Sequence, residues 1–127
     1  MALILIVDDD PTVLRMLSLV MQRDGHTVMQ AEDGEVAMRL FSAQPADVII
    51  TDLLMPNKEG LELIAEAREI SPAVGIIAYS GGGKMQPHEY LEFARGLGAD
   101  KVFTKPVPIT DLSLAVAELL GDSAKQV

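Results

Sequence analysis

Five polar residues lie at the ends of apolar runs: Asp8, Asp9, Asp52, Ser80 and Lys105. Three of them are carboxylates, which are the ligands that hard divalent cations such as Mg²⁺ prefer. A bound metal ion would let one carboxylate attack a phosphoryl group, because it neutralises the neighbouring charges. The lysine and the serine hydroxyl would supply donors for the oxygens of the transferred group. These residue types predict a phosphoryl-transfer site, provided that the fold gathers them in one place.

The apolar runs before these residues predict β-strands. Continuous runs at residues 2–7, 46–51, 74–79 and 101–104, with a weaker run at 27–31, are typical of strands covered by helices on both faces. Amphipathic stretches at helical spacing follow each run. The chain therefore alternates strand and helix five times.

Residues at the expected helix ends agree with this pattern. Asp10 followed by Pro11 is typical of a helix start, and Gly25 is typical of a helix that ends in a left-handed turn. Asp33 and Thr110 are placed to cap the second and fifth helices.

Regular alternation of this kind predicts one parallel sheet with right-handed crossovers and helices on both faces. The expected fold class is α/β: a doubly wound, five-stranded parallel sheet of the flavodoxin-like (βα)5 type, with strand order 2-1-3-4-5. In that order, functional groups gather at the carboxyl ends of the strands beside the switch point. All five polar residues fall at that end of their strands.

Length and composition restrict the possible functions. The 127 residues are predicted to form a single domain, without room for a second catalytic or DNA-binding domain. A net charge of −9 and the lack of any Lys/Arg cluster argue against a nucleic-acid partner. The absence of cysteine excludes thiolate chemistry. Since no signal peptide or membrane-spanning segment is recognisable, we expect a cytoplasmic protein without membrane insertion.

The motifs around the polar residues resemble those of response-regulator receiver domains, and the likeness covers nearly the whole chain. In size and layout it is greatest to stand-alone members such as the chemotaxis regulator. The matching segments read ILIVDDDP at residues 4–11, VIITDLLMP at 48–56, IIAYSG at 76–81, GAD at 98–100 and FTKP at 103–106.

The resemblance implies a metal-assisted phosphoacceptor. By position, Asp52 would accept the phosphoryl group and share in binding Mg²⁺. Asp9 would be a direct Mg²⁺ ligand, and Asp8 would help to position the metal and its water. The backbone carbonyl of Leu54, two residues past the acceptor, would complete the protein's share of the metal shell.

The resemblance also implies a switch beside the acceptor. Ser80 would swing toward the phosphoryl group, Lys105 would pair with the acceptor, and the peptide bond from Lys105 to Pro106 would be cis. The chain departs from the family at Val102, where an aromatic residue often stands three positions before the lysine. Phe103 is predicted to point to the opposite face of its strand.

In function, the resemblance implies a phosphorylation-activated signalling switch of a two-component phosphorelay. A histidine kinase or phosphotransfer protein would supply the phosphoryl group. The face formed by the fourth helix, fifth strand and fifth helix would then change its binding to a downstream protein, since no output domain is expected within the chain. The protein would not be an enzyme beyond slow self-dephosphorylation, and it would be a monomer or a weak dimer.

Two other functions stay open at this point. A receiver-like interaction module that never turns over phosphate is favoured by Val102, although retention of all five site residues argues against it. A phosphatase with an aspartyl intermediate, as in the haloacid dehalogenase-like enzymes, needs a second acid two positions after the nucleophile, where this chain has Leu54.

Each motif also has an ordinary structural interpretation when it is taken alone. The pair Asp8 and Asp9 could be a helix cap, and Asp52 a turn residue. His26 and His88 have no second histidine at ligand spacing, so they are predicted to be surface polar residues.

Overall fold

The structure is a computed structural model that describes residues 2–53, 60–81 and 87–121. Five strands alternate with five helices along these residues. The strands are β1 (Leu3–Val7), β2 (Thr27–Ala31), β3 (Val48–Asp52), β4 (Gly75–Ser80) and β5 (Lys101–Thr104). The helices are α1 (Pro11–Arg23), α2 (Gly34–Ala43), α3 (Gly60–Ile70), α4 (Pro87–Leu97) and α5 (Ile109–Leu119).

The strands form one parallel sheet in the order β2-β1-β3-β4-β5, which confirms the predicted fold class and topology. Helices α2, α3 and α4 pack their buried residues against one face of the sheet. Helices α1 and α5 pack against the other. The sheet therefore separates two hydrophobic cores, as expected of a doubly wound fold.

The central strands carry apolar residues without alternation because both of their faces are covered. Every residue of β3 and β4 is buried. Ile49 and Ile76 contribute to the core beneath α2, α3 and α4. Ile50 and Ile77 contribute to the core beneath α1 and α5. Burial on both sides thus explains the continuous apolar runs in the sequence.

The first two helices begin at the predicted caps. The Asp10 side chain accepts a hydrogen bond from the backbone N–H of Thr12 at 2.9 Å. Asp33 accepts one from the N–H of Val36 at 2.9 Å. Gly25 has φ of +94°, which confirms the left-handed turn after α1.

The predicted cap of the fifth helix was wrong. Helix α5 begins at Ile109, and Pro108 occupies the N-cap position without a side-chain hydrogen bond. The Pro108 carbonyl already accepts from the N–H of Leu112 at 2.9 Å. Thr110 therefore lies inside the first turn of α5 and not at the position before the helix, so it is not the N-cap.

The last strand confirms the predicted facing of its side chains. Val102 packs against the core on the α2, α3 and α4 side of the sheet. Phe103 packs against the core on the α1 and α5 side. The aromatic residue of β5 is consequently turned away from the face on which Val102 lies.

The strand register brings the polar residues to one edge of the sheet. Val7 is paired with Thr51, so the two residues that follow β1 lie beside the end of β3. Asp52 is paired with Tyr79, directly before Ser80. The carboxyl ends of β1, β3 and β4 therefore meet at the site predicted from the switch-point rule.

Gly60, the first residue of α3, packs directly on the end of β3. Its N–H donates to the carbonyl of Leu53 at 3.2 Å. A Cβ atom built on Gly60 would lie 2.5 Å from the backbone carbonyl oxygen of Asp52. Helix α3 can approach the strand this closely only because residue 60 has no side chain.

Gly60→Ala is expected to lower the free energy of unfolding by about 1–3 kcal/mol, because the added methyl group collides with backbone rather than with a side chain that can move. Gly96→Ala is the matched control, since nothing lies within 4 Å of the Cβ position there. The control should be neutral or stabilising by up to about 1 kcal/mol, through a higher helix propensity. Urea unfolding measures the free energy of unfolding of both variants. Equal stability of the two would contradict the close contact between Gly60 and the backbone of Asp52.

Candidate functional site

Three carboxylates cluster at the carboxyl edge of the sheet. Asp8 and Asp9 follow β1, and Asp52 is the last residue of β3. One carboxylate oxygen from each lies within 4.8 Å of the other two. Asp8 and Asp52 are buried, whereas Asp9 is exposed. The structure therefore brings together the three acids that the sequence placed at one site.

Lys105 provides a positive charge beside these acids. Its Nζ donates to Oδ2 of Asp52 at 2.9 Å and lies 3.8 Å from Oδ2 of Asp8. Partial burial acts to lower the pKa of Lys105, but the hydrogen bond and charge of Asp52, with the charges of Asp8 and Asp9, outweigh it and raise that pKa. The ammonium group therefore stays charged at neutral pH.

Asp8 is held at both carboxylate oxygens. Oδ1 accepts from the backbone N–H of Asp10 at 2.8 Å, and Oδ2 accepts from the Tyr79 hydroxyl at 2.6 Å. Burial raises the pKa of Asp8, and the charge of Asp52 adds to this effect. The two hydrogen bonds and Lys105 offset it only in part. Ionised Asp8 is therefore a costly group at this place.

The charge balance of the cluster fits a bound cation. Within the described ranges, three carboxylates and a single ammonium group meet at this edge. Like charges at this separation repel strongly when two of them are shielded from water. Oxygen donors with an excess of negative charge are the set that Mg²⁺ or Ca²⁺ prefers. The residues present thus fit a hard divalent metal ion.

Ser80 ends β4 with a buried hydroxyl group. It is fully buried, and its Oγ makes no hydrogen bond to any residue that the structure describes. Its backbone carbonyl accepts from the N–H of Lys105 at 3.1 Å, which fixes the two residues side by side. A buried hydroxyl without a partner costs about 1–3 kcal/mol, so this group is available to a ligand that enters the site.

The backbone around Lys105 is closely packed. A Cβ atom on Gly81 would lie 2.5 Å from Cβ of Lys105, so the residue after Ser80 must be glycine in this arrangement. The peptide bond between Lys105 and Pro106 is cis, which is the geometry expected from the family resemblance. The end of β5 is therefore tied to the end of β4.

Tyr79 is part of the site, although the sequence analysis treated it only as the end of an apolar run. Its side chain is fully buried, and its ring centroid lies 5.4 Å from Nζ of Lys105. Burial, together with the charge and hydrogen bond of Asp8, raises the pKa of Tyr79 far above its usual range, so the hydroxyl keeps its proton and donates. A usable signal was present, because a buried tyrosine hydroxyl needs a partner.

The remaining candidates lie elsewhere. Leu54, whose carbonyl was predicted as a metal ligand, lies outside the described residues, as does the side chain of His88. His26 precedes β2 at the opposite edge of the sheet, where its Nδ1 accepts from the N–H of Ala2 at 3.3 Å. It takes no part in the acidic cluster.

No helix within residues 2–53, 60–81 and 87–121 has both the length and the apolar character needed to cross a bilayer.

The sequence profile of the response regulator receiver domain matches residues 4–117. The chain belongs to this family, and it is therefore a receiver domain of the kind found in two-component response regulators.

Named relatives and solved structures agree with this assignment. Over 121 residues the chain is 32% identical to the transcriptional regulatory protein GlrR of Escherichia coli (strain K12), a match that covers 95% of this chain and 27% of GlrR. A receiver domain protein from Clostridium thermocellum superimposes with a TM-score of 0.86 at 30% identity, over 94% of each chain. A CheY-like receiver domain protein from Methanospirillum hungatei JF-1 does so with a TM-score of 0.87 at 27% identity, over 98% of each.

The chain spans about a quarter to a half of the length of the first curated relatives that it matches. The assignment of residues 1–127 to a single domain without an output domain stays a prediction.

Asp8→Asn is expected to stabilise the metal-free protein. The amide oxygen can accept from the N–H of Asp10, and the amide nitrogen can donate to the oxygen of the Tyr79 hydroxyl, so each pair keeps a hydrogen bond, the second with its direction reversed. A buried charge that faces Asp52 is removed, while Lys105 keeps its nearer partner. We expect the free energy of unfolding at neutral pH, measured in urea with a chelator present, to rise by about 1 kcal/mol.

The difference in stability between wild type and Asp8→Asn is also expected to depend on pH. The pKa of Asp8 is higher in the folded than in the unfolded protein, so the folded state binds this proton more tightly. Wild type should therefore gain stability relative to Asp8→Asn as the pH falls through the folded-state pKa toward the lower pKa of the unfolded state. A difference between the two proteins that stays constant over this range would contradict the raised pKa.

Proposed function

We propose that the protein is a phosphorylation-activated switch of a two-component phosphorelay, with Asp52 as the phosphoacceptor. One observation carries the proposal: a buried carboxylate at the switch-point edge of the sheet is hydrogen-bonded to Lys105 and clustered with two further acids. The Ser80 hydroxyl on the neighbouring strand, which has no hydrogen-bond partner within the described ranges, supports it, because a phosphoryl oxygen would give that group an acceptor.

Mg²⁺ is the cofactor that we propose for the acidic cluster. Asp8, Asp9 and Asp52 would hold it, together with the backbone carbonyl of Leu54. When bound, Mg²⁺ supplies the positive charge that neutralises the acceptor and the oxygens of the incoming phosphoryl group. The excess of carboxylates over ammonium groups supports this choice.

Asp52 would act as the nucleophile. One of its carboxylate oxygens forms a bond to phosphorus while the P–N bond of a phosphohistidine breaks, and the electron pair of that bond stays on the imidazole nitrogen of the donor. Lys105 then donates to a phosphoryl oxygen instead of to the free carboxylate. Ser80 donates its hydroxyl to another of these oxygens, so both groups stabilise the charge that the reaction transfers.

Phosphorylation would act on a surface beyond the site through β5. The modification replaces the single negative charge of the Asp52 carboxylate by a phosphoryl group of about −1.5 to −2, which attracts Ser80 and Lys105. Lys105 follows β5 directly, and a groove of about 340 Å³ crosses α4, β5 and α5. Leu114, an exposed apolar residue, lines this groove, and α4 carries two further exposed apolar residues, Phe93 and Leu97. We propose that a downstream protein binds this α4-β5-α5 face.

Several further assignments complete the proposal. The donor is a histidine kinase or a phosphotransfer protein, and the readout is a partner protein rather than nucleic acid, in keeping with the net charge of −9. The chain acts as a phosphoacceptor with slow self-dephosphorylation and not as an enzyme. It works in the cytoplasm without membrane insertion, as a monomer or a weak dimer.

Asp52→Asn should abolish phosphorylation by a small acyl phosphate in the presence of Mg²⁺. Intact mass spectrometry is expected to show one added phosphoryl group on wild type and none on the variant, or on wild type in excess chelator. Glu69→Gln, which neutralises an exposed acid on α3, is the control and should behave as wild type. Equal mass gain by Asp52→Asn would refute the acceptor. No gain by any protein, with no binding of beryllofluoride, would favour the phosphate-independent interaction module.

Lys105→Ala should slow phosphorylation by about ten-fold or more, since one donor to the developing charge is lost, without abolishing it. It should also uncouple the site from β5. Hydrogen exchange at residues 101–104, with and without beryllofluoride as a phosphoryl mimic, measures this coupling. Wild type should change its protection and the variant should not. Lys101→Ala removes a surface lysine paired with Glu118, and it should retain the response. The same response in Lys105→Ala would contradict the proposed switch.

A further inference from the structure

We infer that Tyr79 is a positioning residue that holds Asp8 for metal binding; this inference rests on the proposed function. The Tyr79 hydroxyl donates to Oδ2 of Asp8 at 2.6 Å, and the backbone N–H of Asp10 donates to Oδ1 at 2.8 Å. With one donor on each oxygen, the Asp8 carboxylate is prevented from rotating.

The hydrogen bond from Tyr79 to Asp8 is stronger than the one that a buried tyrosine hydroxyl needs in order to be satisfied. A buried hydroxyl is satisfied by any acceptor, such as a backbone carbonyl. Tyr79 instead donates to a buried carboxylate, and a hydrogen bond to a charged acceptor is shorter and about twice as strong as a neutral one. Both side chains are fully buried, so water does not compete for either partner.

The tyrosine also belongs to the site through its neighbours. It is paired across the sheet with Asp52, and Nζ of Lys105 lies 5.4 Å from its ring centroid. A lysine ammonium at this distance is attracted by the ring. Tyr79 therefore contacts one acid of the cluster through its hydroxyl and the lysine through its ring. Replacing Tyr79 by phenylalanine removes the hydroxyl contact with Asp8 alone, because the ring that faces Lys105 is kept.

Groups that hydrogen-bond a metal-binding side chain set its orientation, and their loss commonly weakens metal binding by about 10- to 100-fold. Among the residues that the structure describes, two side chains place a donor near Oδ2 of Asp8: the Tyr79 hydroxyl at 2.6 Å and the ammonium group of Lys105 at 3.8 Å. Without the hydroxyl, Oδ2 would lose its closer partner. The Asp8 carboxylate would then turn freely about its Oδ1 contact.

Isothermal titration with Mg²⁺ tests the inference on the full chain. Tyr79→Phe is expected to raise the dissociation constant for Mg²⁺ by about ten-fold. Phosphorylation by a small acyl phosphate should return toward the wild-type rate when Mg²⁺ is raised to saturation. Ser113→Ala is the matched control, because it also removes a hydroxyl-to-carboxylate hydrogen bond, at 2.7 Å to Asp24, away from the acidic cluster. The control should leave the dissociation constant unchanged.

A double-mutant cycle shows whether the hydroxyl acts through Asp8. In an Asp8→Ala background, Tyr79→Phe should cause no further loss of Mg²⁺ affinity. Circular dichroism melting of all four proteins establishes that each is folded. An equal ten-fold loss in both backgrounds would overturn the inference, since Tyr79 would then act on the fold rather than on Asp8.

The two proposals fail in different ways. Unchanged Mg²⁺ affinity of Tyr79→Phe, with normal phosphorylation of wild type, would overturn the role of Tyr79 alone. In another outcome, wild type binds Mg²⁺ but gains no phosphoryl group, and Tyr79→Phe binds Mg²⁺ more weakly than wild type. That result would support the positioning role and contradict the proposed function. A wild type that binds no Mg²⁺ would overturn both.

Discussion

Repulsion among carboxylates held at one edge of the sheet is the interaction on which the site depends. Asp8 and Asp52 are both buried, and the ammonium group of Lys105 lies closer to Asp52 than to Asp8. Water cannot screen these charges as it does on a surface. The folded chain therefore holds an arrangement that the proposed cation would stabilise and that the proposed phosphoryl group would rearrange. Both parts of the proposed function follow from this electrostatic strain.

The sheet can hold the acids together because its strands are fixed on both sides. Two separate hydrophobic cores clamp β1 and β3, whose backbones are paired in register at the edge where the acids lie. Gly60 allows α3 to approach the end of β3, and Gly81 allows Lys105 to approach the end of β4. Stability supplied by the two cores thus offsets the electrostatic cost of the site.

Local patterns in the sequence predicted the strands, their order and the caps at Asp10 and Asp33. Burial on both faces produces continuous apolar runs, and capping requires particular residue types at a helix start, so both can be recognised within a few residues. Thr110 was misassigned because a proline two positions earlier could take the cap position equally well. The role of Tyr79 was missed for a different reason. Its contact with Asp8 joins residues 71 positions apart, and no periodicity connects them. The acidic cluster itself was predictable, since each member ends its own apolar run.

Burial of β3 on both faces restricts how a reaction partner could reach Asp52, the proposed phosphoacceptor. Asp52 exposes only 4% of its surface, and every residue of its strand is covered. A donor group has to approach along the strand axis, from the end of the sheet. For the proposed phosphoacceptor, selectivity among donor proteins would then depend on which molecules can present their donor group at this end of the sheet, more than on the chemistry of the aspartate itself.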